Sequence, residues 1–276
     1  MPEYAPPKIH RNKTNLQLWW FTALLIAINV GLFAWQVLHG IDITSPSTAD
    51  AIRWGADYAP LSYLAEPIRL FTSMFFHFGL IHLALNMWAL YIFGNIAEQM
   101  LGRYYYIGLY MLAGLSGSLL SGYVAIQDSY ELLQIGTANP SLLPSVGAGA
   151  SGAVMGLGAA LTVISLFPNL PNQRFLLDKK TLLMVMGINL AMGFTISGIN
   201  NAAHIGGMLM GGFLALAWYW GEKIQRPRLI QLIALIAGGI ICWVVYQYCL
   251  IKVATIAPFW HELLQWMTQS IQQPHA

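Results

Sequence analysis

Residues 145–160 read SVGAGASGAVMGLGAA. A cluster of small residues runs straight into an apolar stretch that continues to Phe167 and is closed by Pro168 and Pro171. Ser151 therefore stands where an apolar helix begins. Small residues alone carry little weight, because Gly, Ala and Ser also serve simply to let neighbouring membrane helices approach. Two other stretches give Ser151 company: HLALN at 82–86 and AHIGG at 203–207.

The chain around them is made for lipid. Of its 276 residues, 57% are hydrophobic and 9% charged, against about 25% charged in a soluble domain. The lipid bilayer is the first partner this implies. A net charge of +2, with no basic patch interleaved with aromatics, gives no footing for nucleic acid. Cys242 and Cys249 lie in one apolar run, about 10 Å apart along a helix axis. That is beyond the reach of a disulfide, so no bridge is expected within that helix.

Apolar runs long enough to span a bilayer divide the chain. The polar residues 1–17, with Lys8, Arg11 and Lys13, read as a cytoplasmic tail. The first span, 18–38, is too long for a signal-peptide core and reads as a retained anchor. A long aromatic-rich connection, 39–76, follows. Its aromatics, and His77 beside them, read as an interfacial belt. Further spans are expected at 78–101, 104–126, 150–167, 182–196, 201–220 and 229–250, with 127–146 as a second long connection. Phe259, Trp260, Leu263, Leu264, Met267 and Ile271 make a helical stripe that suggests a separate interfacial helix. The expected division is a tail at 1–17, a six-helix core at 18–220, and an additional membrane helix with an amphipathic tail at 221–276. The fold class is an all-α polytopic membrane bundle.

The Lys and Arg bias fixes an orientation. With the N-terminus in the cytoplasm, only Arg53, Arg69 and Lys252 of the 13 Lys and Arg fall outside. The C-terminus then also lies outside. The second, fourth and sixth spans all run inward, so His82, Asn86, Ser151 and His204 share one level below the outer face. Polar groups at membrane depth are costly and usually functional. Gly152 with Gly156, and Gly207 with Gly211, form small-xxx-small pairs that bring two helices together, and Ser151 within reach of His204.

Serine becomes a nucleophile when a base takes its proton, and histidine is the usual base. No Asp or Glu lies near His204 in sequence, so the reading is a Ser–His dyad. The oxyanion of the tetrahedral intermediate needs prearranged donors. His82, the Asn86 amide and the backbone N–H groups of Ala150 and Ser151 are the candidates.

HxxxN in the second span, GxSG opening the fourth and AHxGG in the sixth, in this order, resemble the rhomboid intramembrane serine proteases. The likeness covers roughly residues 66–215. It implies a six-helix core, Ser151 as nucleophile, His204 as base, and an oxyanion site of His82, Asn86 and the Ser151 N–H. Arg69 with Glu66 resembles the family's structural arginine in the first loop, and Glu98 with Gly102 its inner-end motif. Met155 departs from the family, standing where an aromatic residue often stacks on the catalytic histidine. The seventh span lies outside the family core.

Other classes fit less well. The HExxH of a membrane metalloprotease and paired aspartates within the spans are missing, as are the inverted repeats of many transporters. No metal and no cofactor is expected. An inactive relative acting as adaptor or chaperone is the alternative, and such a protein should have lost Ser151 or His204. The resemblance implies transmembrane protein substrates, cut near the outer ends of their spans, in a bacterial inner membrane.

Overall fold

The computed structural model describes residues 18–272 apart from 138, 172, 174 and 196–199. The tail at 1–17, Arg174 and the connector at 197–199 therefore lie outside the described residues. Helix α1 (Trp20–Leu38) leads into a folded connection containing α2 (Thr48–Arg53), β1 (Asp57–Tyr58), α3 (Ala59–Leu64) and α4 (Arg69–Thr72). Then come α5 (Leu80–Leu101), α6 (Arg103–Ile135), β2 (Val146–Gly147), α7 (Ser151–Ser165), α8 (Lys179–Thr195), α9 (Asn201–Lys223) and α10 (Pro227–Gln272). Among the described residues, α1, α5, α6, α9 and α10 are long and apolar enough to cross a bilayer, and α7 is a shorter apolar helix. The architecture is an all-α polytopic membrane bundle.

Its centre is the trio α6, α7 and α9, held at backbone distance by missing side chains. A Cβ on Gly207 would collide with the Gly152 carbonyl, and one on Gly211 with the Gly156 carbonyl. A Cβ on Gly117 of α6 would stand 2.6 Å from the Ala203 carbonyl oxygen. These contacts pair 152 with 207 and 156 with 211, so α7 and α9 run parallel. Hydroxyls add direct bonds across the trio: Ser116 donates to the Gly206 carbonyl (3.0 Å) and Tyr105 to that of Leu214 (2.7 Å). In lipid, where hydrophobic attraction between helices is absent, such close packing and interhelical hydrogen bonds hold the bundle.

At the end of the bundle away from Ser151, Glu98 is buried near the tip of α5. Its carboxylate accepts the Phe21 and Thr22 backbone N–H groups (3.1 and 2.8 Å) and the Thr22 hydroxyl (2.8 Å). These N–H groups belong to the first turn of α1, where no intrahelical acceptor exists. Glu98 thus caps a helix distant in sequence, and its negative charge suits a helix N-terminus.

Two elements differ from the sequence expectation. Helix α6 does not stop near 126 but continues to Ile135, where Gly136 ends it in the left-handed conformation (φ 66°). The polar Asp128 and Glu131 suggested a loop, yet nothing in 127–135 breaks a helix. The C-terminal stripe is likewise not a separate helix, because α10 runs unbroken through Pro258. Packing offsets the proline's lost hydrogen bond. Ile256 and Trp260 are fully buried, and the Trp260 Nε1–H donates to the Ser129 hydroxyl of α6 (2.9 Å). Cys242 and Cys249 are buried and unbridged.

Candidate active site

The loop before α7 is pinned at two points. The β1–β2 ladder pairs Asp57 with Gly147 and Tyr58 with Val146, and the Gly149 N–H donates to the Ser73 carbonyl (2.8 Å). Gly149 has φ +114°, a region that side chains rarely adopt. A Cβ there would also fall 2.8 Å from His82 Cε1 and 3.0 Å from its Nε2. The chain can therefore pass close against the His82 ring, and Ser151 follows as the first residue of α7.

His82 has a defined tautomer when neutral. The Phe78 N–H donates to His82 Nδ1 (3.2 Å), so the ring proton sits on Nε2, the nitrogen beside Gly149. One turn on, Asn86 is buried and donates one amide hydrogen to the His82 carbonyl (2.9 Å). An amide nitrogen carries two hydrogens, so a second remains. His204, on the first turn of α9, is buried. Asn200 caps that helix, accepting from the Ala203 N–H (3.0 Å). His204 Nδ1 has no partner among the described residues, and no hydrogen bond there joins His204 to Ser151. Ser151, His204, His82 and Asn86 all line one cavity of about 1170 Å³, together with Met155.

Two residues sit differently from their sequence reading. The Ala150 N–H donates to His77 Nε2 (3.5 Å) and Ala150 is fully buried, so this donor already has a partner. His77 is not part of an interfacial belt. Its ring is fully buried, 5.2 Å from that of His82. Burial, and then the neighbouring His82, hold its pKa down at about 3, so it stays neutral and can accept. Its signal in sequence was the one used for His82, an ionisable group inside an apolar stretch; its place in the loop disguised it.

Beside the cavity, Arg69 locks the first connection. It donates to the carbonyls of Ile52 (2.5 Å) and Ala56 (3.2 Å) and pairs with Glu66 at 2.8 Å. Asp57 is buried nearby and accepts from the Ser62 hydroxyl (2.5 Å). Burial pushes its carboxyl up to about 6, against the opposing pull of the Ser62 hydrogen bond and the Arg69 charge.

The family model described as Rhomboid domain matches residues 64–222, more than half of the chain. The chain belongs to the rhomboid family. Rhomboid protease AarA of Providencia stuartii is 27% identical over 237 residues, covering 82% of each chain. Rhomboid protease GluP of Bacillus subtilis is 33% identical over 221 residues, 79% of this chain and 38% of that protein. RHOMBOID-like protein 6, mitochondrial, of Arabidopsis thaliana is 34% identical over 189 residues, 67% of this chain and 55% of that protein. The match thus spans most of the first relative and well under two thirds of the other two. Within this rhomboid, the matched region holds the glycine-packed trio and, of the cavity, Ser151, His204, His82, Asn86 and Met155. Helix α10 lies beyond it.

Proposed function

We propose that this rhomboid is an intramembrane serine endopeptidase whose nucleophile is Ser151 and whose base is His204. The observation that carries the reading is the single cavity on which Ser151, His204, His82 and Asn86 converge at the start of parallel helices. Ser151 Oγ attacks the substrate carbonyl carbon while a ring nitrogen of His204 takes its proton. The electron pair of the C=O bond moves onto oxygen. The His82 Nε2–H, the second amide hydrogen of Asn86 and the Ser151 N–H supply donors for that oxyanion. Collapse expels the amine, which takes the proton from His204, and leaves an acyl-serine. Water, deprotonated by the same imidazole, then releases the acid. No Asp or Glu is needed, which suits a His204 Nδ1 without a partner among the described residues. The hydrogen bond between the pair is expected to tighten when substrate excludes water.

Helix α7 has 15 residues and rises only about 22 Å, short of a hydrocarbon core of about 30 Å. In this reading Ser151, at the start of so short a helix, lies below one membrane face, and the Lys and Arg bias favours the outer one. Water in the cavity would supply the hydrolytic molecule and replace backbone hydrogen bonds of an unwinding substrate, each of which costs several kcal/mol to leave unmade in lipid. Purified Ser151→Ala, His204→Ala and the double variant, assayed on a model transmembrane substrate, should be inactive to a similar degree, because the pair acts as one unit. Substantial cleavage by Ser151→Ala would refute the assignment.

A further inference from the structure

Helix α10 reaches the cavity by a fixed route. It runs parallel to α6: Gly238 packs on Leu112, the Tyr130 hydroxyl donates to the Lys252 carbonyl (2.7 Å), and Trp260 bonds Ser129. The ring of Tyr63 in α3 lies 5.7 Å from Tyr246 and 6.4 Å from Trp260. These contacts anchor the helix as far as Trp260. The next two turns place Leu263, Trp266 and Met267 on one face, at i, i+3 and i+4. All three line the cavity that holds Ser151 and His204. Trp266 is 67% exposed and Leu263 and Met267 are half-buried, against the full burial of Ile256 and Trp260. A helix end that only met water would carry polar groups there. This one lines the cavity with a tryptophan, a leucine and a methionine.

We propose that Leu263, Trp266 and Met267 form a substrate subsite, an apolar shelf that receives apolar side chains flanking the cut. The proposal rests on the proteolytic reading above and adds a specificity role for α10, which lies outside the matched family region. The occupant is the unwound stretch of a transmembrane substrate. At about 1170 Å³ the cavity exceeds what a drug-sized ligand fills, leaving room for several residues of extended chain. Trp offers a large rigid face, and Met adapts to differing side-chain shapes. Such a shelf distinguishes apolar from polar flanks without prescribing one residue.

The test uses the full chain reconstituted in liposomes and two model transmembrane substrates. They differ only in the residues flanking the cut: Leu and Phe in one, Gln in the other. The readouts are kcat and KM for each, and the rate at which a small fluorophosphonate labels Ser151. The triple variant Leu263→Ala, Trp266→Ala, Met267→Ala should lower the Leu/Phe-over-Gln ratio of kcat/KM about tenfold, carried by KM, as expected for losing partly exposed apolar contacts. Trp266→Phe should keep most of the ratio, and labelling should persist in both. Should the triple variant lose labelling through misfolding, Trp266→Ala alone is judged on the same ratio. An unchanged ratio overturns the subsite, and would suit a tryptophan that merely anchors at the bilayer interface. Faster labelling also overturns it, since α10 would then be a cover. A wild-type chain that is neither labelled nor able to cleave brings down the proteolytic reading and the subsite together. A wild type that does both, with a ratio indifferent to α10, brings down the subsite alone.

Discussion

At the scale of the residue, the site is a set of polar groups whose free positions are set by the bonds they already make. His82 Nδ1 is spent on the Phe78 N–H and one Asn86 hydrogen on the His82 carbonyl. What remains, Nε2–H and one amide hydrogen, is what an oxyanion requires. Removing one donor from such a site typically costs about 10²–10³ in turnover. His82→Ala and Asn86→Ala should each lower kcat by that order with KM little changed, in steady-state assays on a purified transmembrane substrate. Wild-type kcat in both would make them packing residues. Asp57 carries a pH prediction of a different kind. Its folded-state value, about 6, lies above the ordinary 3.8, so the folded protein holds a proton that the unfolded chain has released. Its contribution to stability is fully present below 3.8 and is lost as pH rises through about 6, a change on the order of 3 kcal/mol. Asp57→Asn, which can still accept from Ser62, should flatten thermal stability across that window. A variant whose unfolding temperature falls over the same window as steeply as wild type would contradict this.

At the scale of the element, helices are legible in sequence where composition alone decides them, and illegible where distant packing does. The starts of α5, α7 and α9 could be read because glycine and polar residues interrupt apolar runs there. The end of α6 and the continuity of α10 could not. Asp128 and Glu131 look like loop residues, and the stripe from Phe259 looks like a helix of its own, until Trp260 is seen buried against Ser129. The same holds in the site. Ser151, His204, His82 and Asn86 stood out as polar groups in apolar surroundings. The engagement of Ala150 by His77 depends on a loop geometry with no sequence period to reveal it. The close contact of α7 with α9 has its own test. A methyl group at Gly207 would meet the Gly152 carbonyl, which is backbone and cannot move aside cheaply. Gly207→Ala should cost about 1–3 kcal/mol through overpacking, and more activity than that loss of stability explains, since His204 lies one turn away. Gly239→Ala, where a Cβ meets nothing within 4 Å, is the control and should behave as wild type in unfolding and cleavage. Equal behaviour of the two variants would refute the packing argument.

At the scale of the whole molecule, the proteolysis proposed for this bundle sets two conflicting demands: peptide hydrolysis needs water, and the substrate lives in lipid. On the proteolytic reading, a short α7 and a cavity at one end of the bundle would bring water to the half-buried Ser151 while the longer helices keep the rest dry. Substrates should then be membrane proteins whose spans carry Gly, Pro or polar residues near one end, since these lower the cost of unwinding in lipid. The most direct measurement is mass spectrometry of the products from a model transmembrane substrate in liposomes, with the Ser151→Ala chain in parallel. Wild type should cut once, in the outer third of the span, with little cleavage when the substrate's Gly and Pro are replaced by Leu and none by Ser151→Ala. Cleavage that persists in Ser151→Ala, falls at the cytoplasmic end, or ignores the Leu replacements would contradict the account.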